Sequence, residues 1–387
     1  MKRLRFFRVI WGTLLLYEIM EFLLLELFSR HYPSGLSHSL APVLLSLPVL
    51  AAILPLYLIL SFMGILGRSR FVITIFFACF FVSAVFLLGT SLARATLFIL
   101  PLRSSLDRWT LSEAFGFLII LIVLAVAIKG HFFSPQVNRE TLRFSDLSAD
   151  LSGMTVLHLS DLHVGSWQSD RSLQRIARTI EALSPEILVF TGDMIDHSEE
   201  EVKRFERIFG GLEGRIGTFA VLGNHEYWTL GARAFDVMKK AGVPVLRNEF
   251  RVVKRNSASA WIVGVDDPAG TDEGPALGPD PERAYQSVDP LEGDIVITLV
   301  HQPTLWDGKI KLRSQLTLAG HTHGGQMGRR RQRWSLARFF FLHDVGLFRS
   351  EEEESLGHYL HVSSGIGYYG VPLRIGMIPE MTLITLE

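Results

Sequence analysis

The sequence predicts a chain of two parts, an N-terminal bundle of about four transmembrane helices followed by an α/β domain. Hydrophobic residues make up 48% of the 387 residues, and the mean hydropathy is +0.28. Most of this apolar excess lies before residue 130. After about residue 153, strand-length apolar runs alternate with charged and glycine-rich segments. We therefore predict a transmembrane part over residues 1–130, a linker with the first strand over 131–150, and the α/β domain over 151–387.

The membrane prediction depends on long runs without charge. Between Tyr32 and Gly67 there is no Asp, Glu, Lys or Arg, and residues 71–93 form a second uncharged run. Residues 109–128, with Glu113 as their charged residue, predict a third span. A helix of about 20 residues crosses a bilayer core of roughly 30 Å, so each run is long enough. Buried helices of a soluble protein are the alternative, but such lengths rarely stay uncharged in water.

Residues 6–28 predict a further span at the start of the chain. Basic residues precede it, as in a signal peptide, but Glu18, Glu21 and Glu26 interrupt the apolar run. No small-residue cleavage site follows, which favours a retained helix. Glu18 and Glu21 lie on one helical face. Packing of this helix against the other spans is favoured over a proton or ion path.

The distribution of basic residues predicts the orientation. Lys and Arg are more frequent near the N-terminus, at 68–70 and at 129–143 than in the opposite loops. Because basic loops stay in the cytoplasm, both the N-terminus and the α/β domain are predicted to be cytoplasmic.

Composition also excludes some classes of protein. The net charge of −1 gives no indication of a nucleic-acid partner. The single cysteine, Cys79, excludes an intrachain disulfide and a thiolate metal site.

The α/β domain is predicted from its order of elements. Apolar strands at MTVLHL, EILVF and GTFAVL alternate with helical patterns over 169–183 and 199–210, and further strands follow at 294–300 and 315–319. This alternation predicts a partly parallel sheet flanked by helices. In such sheets the chemistry lies in the loops after the carboxyl ends of the strands.

Polar clusters follow these strands at five places. In chain order they are SDLH with Asp161 and His163; GDMID with Asp193 and Asp196; GNHE with Asn224, His225 and Glu226; VHQP with His301; and GHTH with His321 and His323. Each cluster alone is weak, because an Asp after a strand is often a helix cap and Asn-His often satisfies a turn. Together they offer carboxylate, amide and imidazole ligands, which suit Mn²⁺, Fe²⁺ or Zn²⁺. Seven ligands are too many for one ion and suit two.

The order D-x-H, GD-x-x-D, GNH-E, H and GH-x-H resembles the calcineurin-like metallophosphoesterase superfamily over residues 138–387. The resemblance is closest to its bacterial branch of membrane-associated phosphoesterases, similar to UDP-2,3-diacylglucosamine pyrophosphatase-type enzymes and related phosphodiesterases. It implies a four-layer α/β/β/α metallophosphoesterase sandwich with a two-metal centre, at the bacterial inner membrane.

The resemblance also implies a role for each residue. One metal would take Asp161, His163, Asp193 and His323, and the other Asp193, Asn224, His301 and His321. His225 would act on the substrate, with Asp196 orienting it. The large phosphatase relatives have an Arg at the position of His197, and this departure argues against a protein phosphatase.

We therefore expect a membrane-anchored phosphoesterase or pyrophosphatase that uses two divalent ions and a metal-bridging hydroxide as the nucleophile. Mn²⁺ is the metal that we favour. The segment 329–341, RRRQRWSLARFFF, is cationic and aromatic and suits an anionic headgroup, or else a packed loop with a charged rim. With the resemblance, it indicates a phosphorylated or nucleotide-linked lipid substrate at a membrane, and no nucleic acid. The alternatives are a transporter or sensor with a regulatory phosphoesterase-fold domain, and a general phosphodiesterase of soluble substrates.

Overall fold

The computed structural model describes residues 135–387, except 166–167, 275, 307, 330–333, 352–356 and 370–373, and seven single positions between residues 92 and 125. By internal contacts the chain divides into two units, Met1–Val126 and Ala127–Glu387. All strands and the helices named below belong to the second unit.

The predicted N-terminal transmembrane bundle is corrected by the structure. Among the described residues, no helix has the length and apolar character that crossing a membrane requires. Such a helix needs about 20 continuous apolar residues. Apart from the seven single positions between residues 92 and 125, the four predicted spans and Glu18, Glu21 and Glu26 lie outside the described residues.

The described part of the second unit contains strands β1–β13 and helices α1–α6. The strands are β1 (Gln136–Leu142), β2 (Thr155–Leu159), β3 (Ile187–Thr191), β4 (Gly217–Val221), β5 (Glu249–Arg255), β6 (Ala258–Gly264), β7 (Ile295–Leu299), β8 (Leu316–Ala319), β9 (Gly328–Arg329), β10 (Trp334–Ser335), β11 (Gly346–Arg349), β12 (Tyr359–Val362) and β13 (Glu380–Leu386). The helices are α1 (Asp170–Leu183), α2 (Glu200–Phe209), α3 (Asn224–Leu230), α4 (Ala234–Lys240), α5 (Pro281–Ala284) and α6 (Gly308–Arg313).

Two mixed sheets form the centre of this unit. The first has the order β1-β13-β2-β3-β4, in which β2, β3 and β4 are parallel and β13 is antiparallel to β2. The second has the order β11-β12-β8-β7-β6-β5, in which β6, β7, β8 and β12 are parallel. A short ribbon of β9 and β10 is separate from both sheets.

The helices cover the outer faces of the two sheets. Side chains such as Val189 and Ile297 fill the core between the sheets. A second core joins the first sheet to helices α1–α4, and a third joins the outer face of the second sheet to α5 and α6. The layers therefore follow the order helix, sheet, sheet, helix. The mixed α/β part of the predicted fold is confirmed.

Helix α1 illustrates why these segments are helical. The side chain of Ser169 caps it by accepting a hydrogen bond from the backbone N–H of Ser172. Its buried residues, Leu173, Ile176, Ala177 and Ile180, recur every three or four positions and so form one apolar face. That face packs on the first sheet.

The parallel strands bring their carboxyl ends to shared edges. The loop after β2 is tied to the loop after β3, since the N–H of Asp161 donates to the Gly192 carbonyl at 3.1 Å. The loop after β8 is tied to the same place, since the N–H of His321 donates to the Asp161 carboxylate at 3.1 Å. Loops of both sheets therefore meet at one edge of the molecule.

Candidate metal centre

The structure brings all nine predicted site residues into one connected cluster at this edge. Eight of them are buried, and His321 is half-buried. They divide into two groups of candidate ligands, described in turn below. The ligand and catalytic roles themselves stay predictions.

The first group contains Asp161, His163, Asp193 and His323. His163 Nε2 lies 3.1 Å from His323 Nε2 and 3.6 Å from Asp193 Oδ2. His323 Nε2 lies 3.3 Å from Asp161 Oδ1. Two ring nitrogens and two carboxylates thus face one another.

The second group contains Asp193, Asn224, His301 and His321. His301 Nε2 lies 3.3 Å from Asp193 Oδ2, 3.3 Å from His321 Nδ1 and 3.1 Å from Asn224 Oδ1. Asp193 Oδ2 therefore faces a histidine of each group, as a bridging ligand would. The other nitrogen of His301 lies 2.7 Å from the Thr191 carbonyl, which fixes the ring.

The spacing of these atoms fits a divalent cation in each group. Ligand bonds of about 2.1 Å at tetrahedral or octahedral angles put neighbouring ligand atoms about 3.0–3.4 Å apart. The measured separations between facing atoms are 3.1–3.6 Å. The donor set of imidazole, carboxylate and amide oxygen suits a borderline or hard ion. The residues present therefore fit two ions.

The pKa shifts of four of these side chains agree with a role as metal ligands. Burial alone would raise the pKa of the two carboxyls, but neighbouring histidines hold the pKa of Asp161 and of Asp193 well below the usual range. Burial lowers the pKa of His321 to about 3 and of His323 to about 4. These groups are thus carboxylates and neutral imidazoles at pH 7, the forms that bind metal.

His301 differs from the other ligand histidines. Burial would lower its pKa, but the charges of Asp193 and Asp161 raise it well above the ordinary value. In the protein without cations, a proton on His301 supplies positive charge between these carboxylates. A bound cation would take over that role.

His225 lies beside the first group, and its ring also offers a nitrogen within 4.8 Å of ligand atoms of His163 and Asp193. Its Nδ1 is 2.8 Å from the backbone carbonyl of Asp196 and 3.3 Å from Asp196 Oδ1, while its Nε2 is buried without a hydrogen-bond partner. Burial would lower the pKa of His225, but the charges of Asp193 and Asp196 raise it to about 9. The N–H at Nε2 of the imidazolium is therefore not used in a hydrogen bond among the described residues.

Asp196 contacts more groups than the sequence predicted. Its Oδ1 also lies 3.4 Å from His163 Nδ1 and 3.3 Å from His197 Nε2. The carboxylate is thus shared between a predicted ligand and His225, and it is the backbone carbonyl that makes the shorter contact with His225.

Glu226, to which the sequence pattern assigns no role, joins two of the site loops. Its Oε2 accepts hydrogen bonds from the N–H groups of Asp193 and Gly223 at 2.9 and 2.7 Å. Its Oε1 accepts from the N–H groups of Met194 and Ile195 at 2.7 and 3.0 Å. Burial raises the pKa of Glu226 to about 7, and these four donors favour its ionised form. Its position directly after Gly-Asn-His was the available signal.

Arg374 is a second residue to which the sequence pattern assigns no role. It is 1% exposed, and its guanidinium donates to the carbonyls of Ser364, Gly365 and Gly367. One of its nitrogens lies 3.3 Å from His323 Nδ1. Burial lowers the pKa of Arg374 to about 10, so it stays a cation behind this ligand. A lone Arg in the apolar run YYGVPLRIGM was the signal.

Two glycines of the motifs leave room for the carboxylates. A Cβ on Gly223 would overlap Asp193 Oδ1, and one on Gly320 would overlap Asp161 Oδ2 and the hydroxyl of Ser160. No larger residue fits at either position without moving a predicted ligand.

The fold and the site together define a buried cluster of carboxylates and imidazoles, at the carboxyl ends of parallel strands, that fits two metal ions. Comparison with known proteins agrees with this class. A family model described as calcineurin-like phosphoesterase matches residues 154–325. An uncharacterized metallophosphoesterase of Aquifex aeolicus is 33% identical over 60% of this chain and 84% of its own length. The chain belongs to the calcineurin-like phosphoesterase family.

Other similarities are more distant or less complete. The Danio rerio "transmembrane protein with metallophosphoesterase domain" is 31% identical over 70% of this chain, but the match spans only 62% of that protein. The crystal structure of a dimetal phosphatase from Danio rerio is 10% identical, with a TM-score of 0.31, over 55% of this chain and 88% of that one; this likeness is too weak to bear on function. Family membership supports the predicted class, a metal-dependent phosphoester hydrolase.

Proposed function

We propose that this protein hydrolyses a phosphoester or pyrophosphate bond with two divalent cations held by the seven predicted ligands. Mn²⁺ is the cation that we favour. The observation that carries the proposal is the position of Asp193 Oδ2, which is 3.6 Å from His163 in one group and 3.3 Å from His301 in the other. When bound, two cations stabilise the entering and leaving oxygens of an in-line displacement and lower the pKa of the attacking water. Asp193 offsets the repulsion between them.

The chain itself supplies a proton donor. His225 is held through Nδ1 by the Asp196 carbonyl, and the carboxylate of Asp196, which is assigned to neither cation, raises the pKa of His225 and favours a proton on Nε2. A proton given to the leaving oxygen lowers the barrier for a poor leaving group. The neighbouring carboxylate of Asp196 stabilises the cation before that transfer.

We further propose that the substrate is a phosphorylated or nucleotide-linked lipid. Its support is an exposed apolar tip, defined as Phe339, Phe340 and Leu342, with exposed fractions of 76%, 79% and 87%. Large exposed apolar groups of this kind mark interaction sites. Between them Phe341 lies with its ring 5.7 Å from that of His321, so the apolar tip adjoins the metal centre.

Charge near the apolar tip supports the same substrate. The side chain of Arg338 is exposed directly before the apolar tip in sequence, and Arg329 is an exposed residue earlier in the same segment. Cations beside aromatic residues suit anionic headgroups. Arg330, Arg331 and Arg333 lie outside the described residues. Location at the inner membrane, and on its cytoplasmic side, stays a prediction.

One experiment tests the metal centre and the reaction. Full-length protein is dialysed against Mn²⁺, its bound metal is counted, and nucleotide, diester and lipid-pyrophosphate substrates are screened. We expect two ions per chain and hydrolysis of at least one substrate class. One ion per chain, or no hydrolysis with both ions bound, would contradict the proposal.

A second experiment tests the lipid. Phe339, Phe340 and Leu342 are replaced together by Ser, and KM is compared for an acylated substrate and its deacylated counterpart. We expect KM to rise for the acylated substrate alone. Leu291→Ser is the matched control, because Leu291 is 75% exposed on another loop. An equal response of both substrates would favour the alternative, a phosphodiesterase of soluble substrates.

A further inference from the structure

Three half-exposed rings surround His225 at the mouth of the site. We call His197, Trp228 and Tyr369 the aromatic rim. Their ring centroids lie 5.2, 5.0 and 5.6 Å from that of His225. Trp228 and Tyr369 are each 53% exposed, and the side chain of His197 is 46% exposed. His225 itself is fully buried beneath them.

The aromatic rim is assembled from distant segments and is held in place. His197 follows β3, Trp228 belongs to α3, and Tyr369 follows β12. The backbone of Tyr369 is clamped by Gln326, whose Oε1 accepts from its N–H at 3.1 Å and whose Nε2 donates to its carbonyl at 2.9 Å. Gln326 adopts a left-handed φ of 56° to do so. The exposed ring of Tyr369 is thus presented beside His225 from a fixed backbone.

The chemistry of His225 identifies which part of the substrate would lie there. Its Nε2 is buried and has no hydrogen-bond partner. Under the proposed function, on which this inference rests, a water oxygen bonds to phosphorus as the bond to the leaving oxygen breaks. The electron pair stays on the leaving oxygen, which takes the proton of His225 Nε2, while the proton lost by the water passes to solvent. The leaving group therefore lies beside His225, among the rings of the aromatic rim.

We propose that the aromatic rim is a binding subsite for a flat, base-bearing leaving group such as a nucleoside or nucleotide. The faces of His197 and His225 are nearly parallel, with 25° between their planes, and Trp228 is tilted by 44°. His225 is buried beneath both rings, so a nucleobase would stack on the outer, partly exposed sides of His197 and Trp228. Such stacking tolerates any base because each has a π-face. The subsite would hold the nucleotide end of the substrate and leave the other end to the apolar tip beside His321.

The test compares two ligands that differ only by the base. AMP and ribose 5-phosphate are measured as competitive inhibitors of the Mn²⁺-loaded enzyme. We expect AMP to bind roughly 5- to 100-fold more tightly, the range that base–aromatic stacking supplies. Trp228→Ala and Tyr369→Ala should remove most of that ratio with ribose 5-phosphate unaffected, and Trp228→Phe should restore part of it.

Tryptophan fluorescence gives a readout without turnover. AMP should quench the emission of the wild type and of Trp261→Phe, but not of Trp228→Phe. Trp261 is the matched control because it lies in β6, where its indole N–H donates to Asp294 at 3.0 Å. Equal affinity for AMP and ribose 5-phosphate, or quenching that survives Trp228→Phe, would overturn the subsite. Loss of all phosphoesterase activity with normal quenching would instead count against the proposed function alone.

Discussion

Glu226→Gln is the substitution whose effect the structure defines most closely. Both carboxylate oxygens of Glu226 are used, each by two backbone N–H groups. Glutamine keeps one oxygen and puts an amide NH₂ in place of the other. In either orientation of the amide, two buried backbone N–H groups face the NH₂ group and lose their acceptor. The two N–H groups are either those of Asp193 and Gly223 or those of Met194 and Ile195.

The magnitude follows from those two donors. A buried donor left without an acceptor costs about 1–3 kcal/mol, so the pair costs about 2–6 kcal/mol. That is a large fraction of the roughly 5–15 kcal/mol by which a domain is stable. Because one pair includes the N–H of Asp193, we also expect the bridging carboxylate to move and Mn²⁺ to bind more weakly.

Glu201→Gln is the matched control. Glu201 is also buried, but a single oxygen, Oε2, accepts from the N–H groups of Asp196, His197 and Ser198. The oxygen of Gln can take that position and leave no backbone donor facing an amide NH₂. Urea unfolding at pH 8, above the pKa of Glu226, measures both variants. Equal losses within about 1 kcal/mol, which is below the cost of the orphaned pair, would refute the reasoning.

Three further substitutions test the site. Asp193→Asn should leave the fold intact but lower bound Mn²⁺ below two ions per chain and abolish turnover; wild-type rates from a fully loaded variant would contradict the shared carboxylate. His225→Ala should keep the metal and lower kcat by roughly 10²–10⁴-fold, less for a nitrophenyl ester. In the wild type kcat should also fall as pH rises through the pKa of His225, at or below about 9, and a pH profile of the variant that keeps this alkaline limb would exclude His225 as the acid. Gly320→Ala should displace Asp161 and reduce metal content. If the variant binds two ions with wild-type affinity, the loop accommodates the methyl group without moving Asp161.

The sequence predicted which residues lie together because strand ends carry positional information. Each polar cluster follows an apolar run, and the structure places β2, β3, β4, β7 and β8 at those runs. Parallel strands bring their carboxyl ends to one edge, so residues as distant as Asp161 and His323 lie 3.3 Å apart. The order of residue types was therefore enough to name the cluster.

Other features depend on geometry that the order of residues does not contain. The proposed role of Trp228 and Tyr369 depends on their placement around His225. The order of residues along the chain does not show this placement. Arg374 lies in an apolar run whose burial behind His323 cannot be read from spacing. The predicted transmembrane bundle was wrong, because among the described residues no helix has the length and apolar character to cross a membrane.

The backbone at the ligands shows how far the fold is adapted to this site. Among the described residues nine non-glycine residues have positive φ, and five of them are predicted ligands: Asp161, His163, Asp193, His321 and His323. A left-handed conformation costs most residues about 1–2 kcal/mol, and Asp and His adopt it more readily than most, so the five together cost at most about 5–10 kcal/mol. The hydrogen bonds between the loops offset this strain, as when the N–H of His163 donates to the Asp193 carbonyl at 2.9 Å. The strained residues are those whose side chains face one another in the cluster, whereas the neighbouring strand ends Leu159 and Val221 do not have positive φ. It is the arrangement expected where side-chain direction, rather than stability, has been selected.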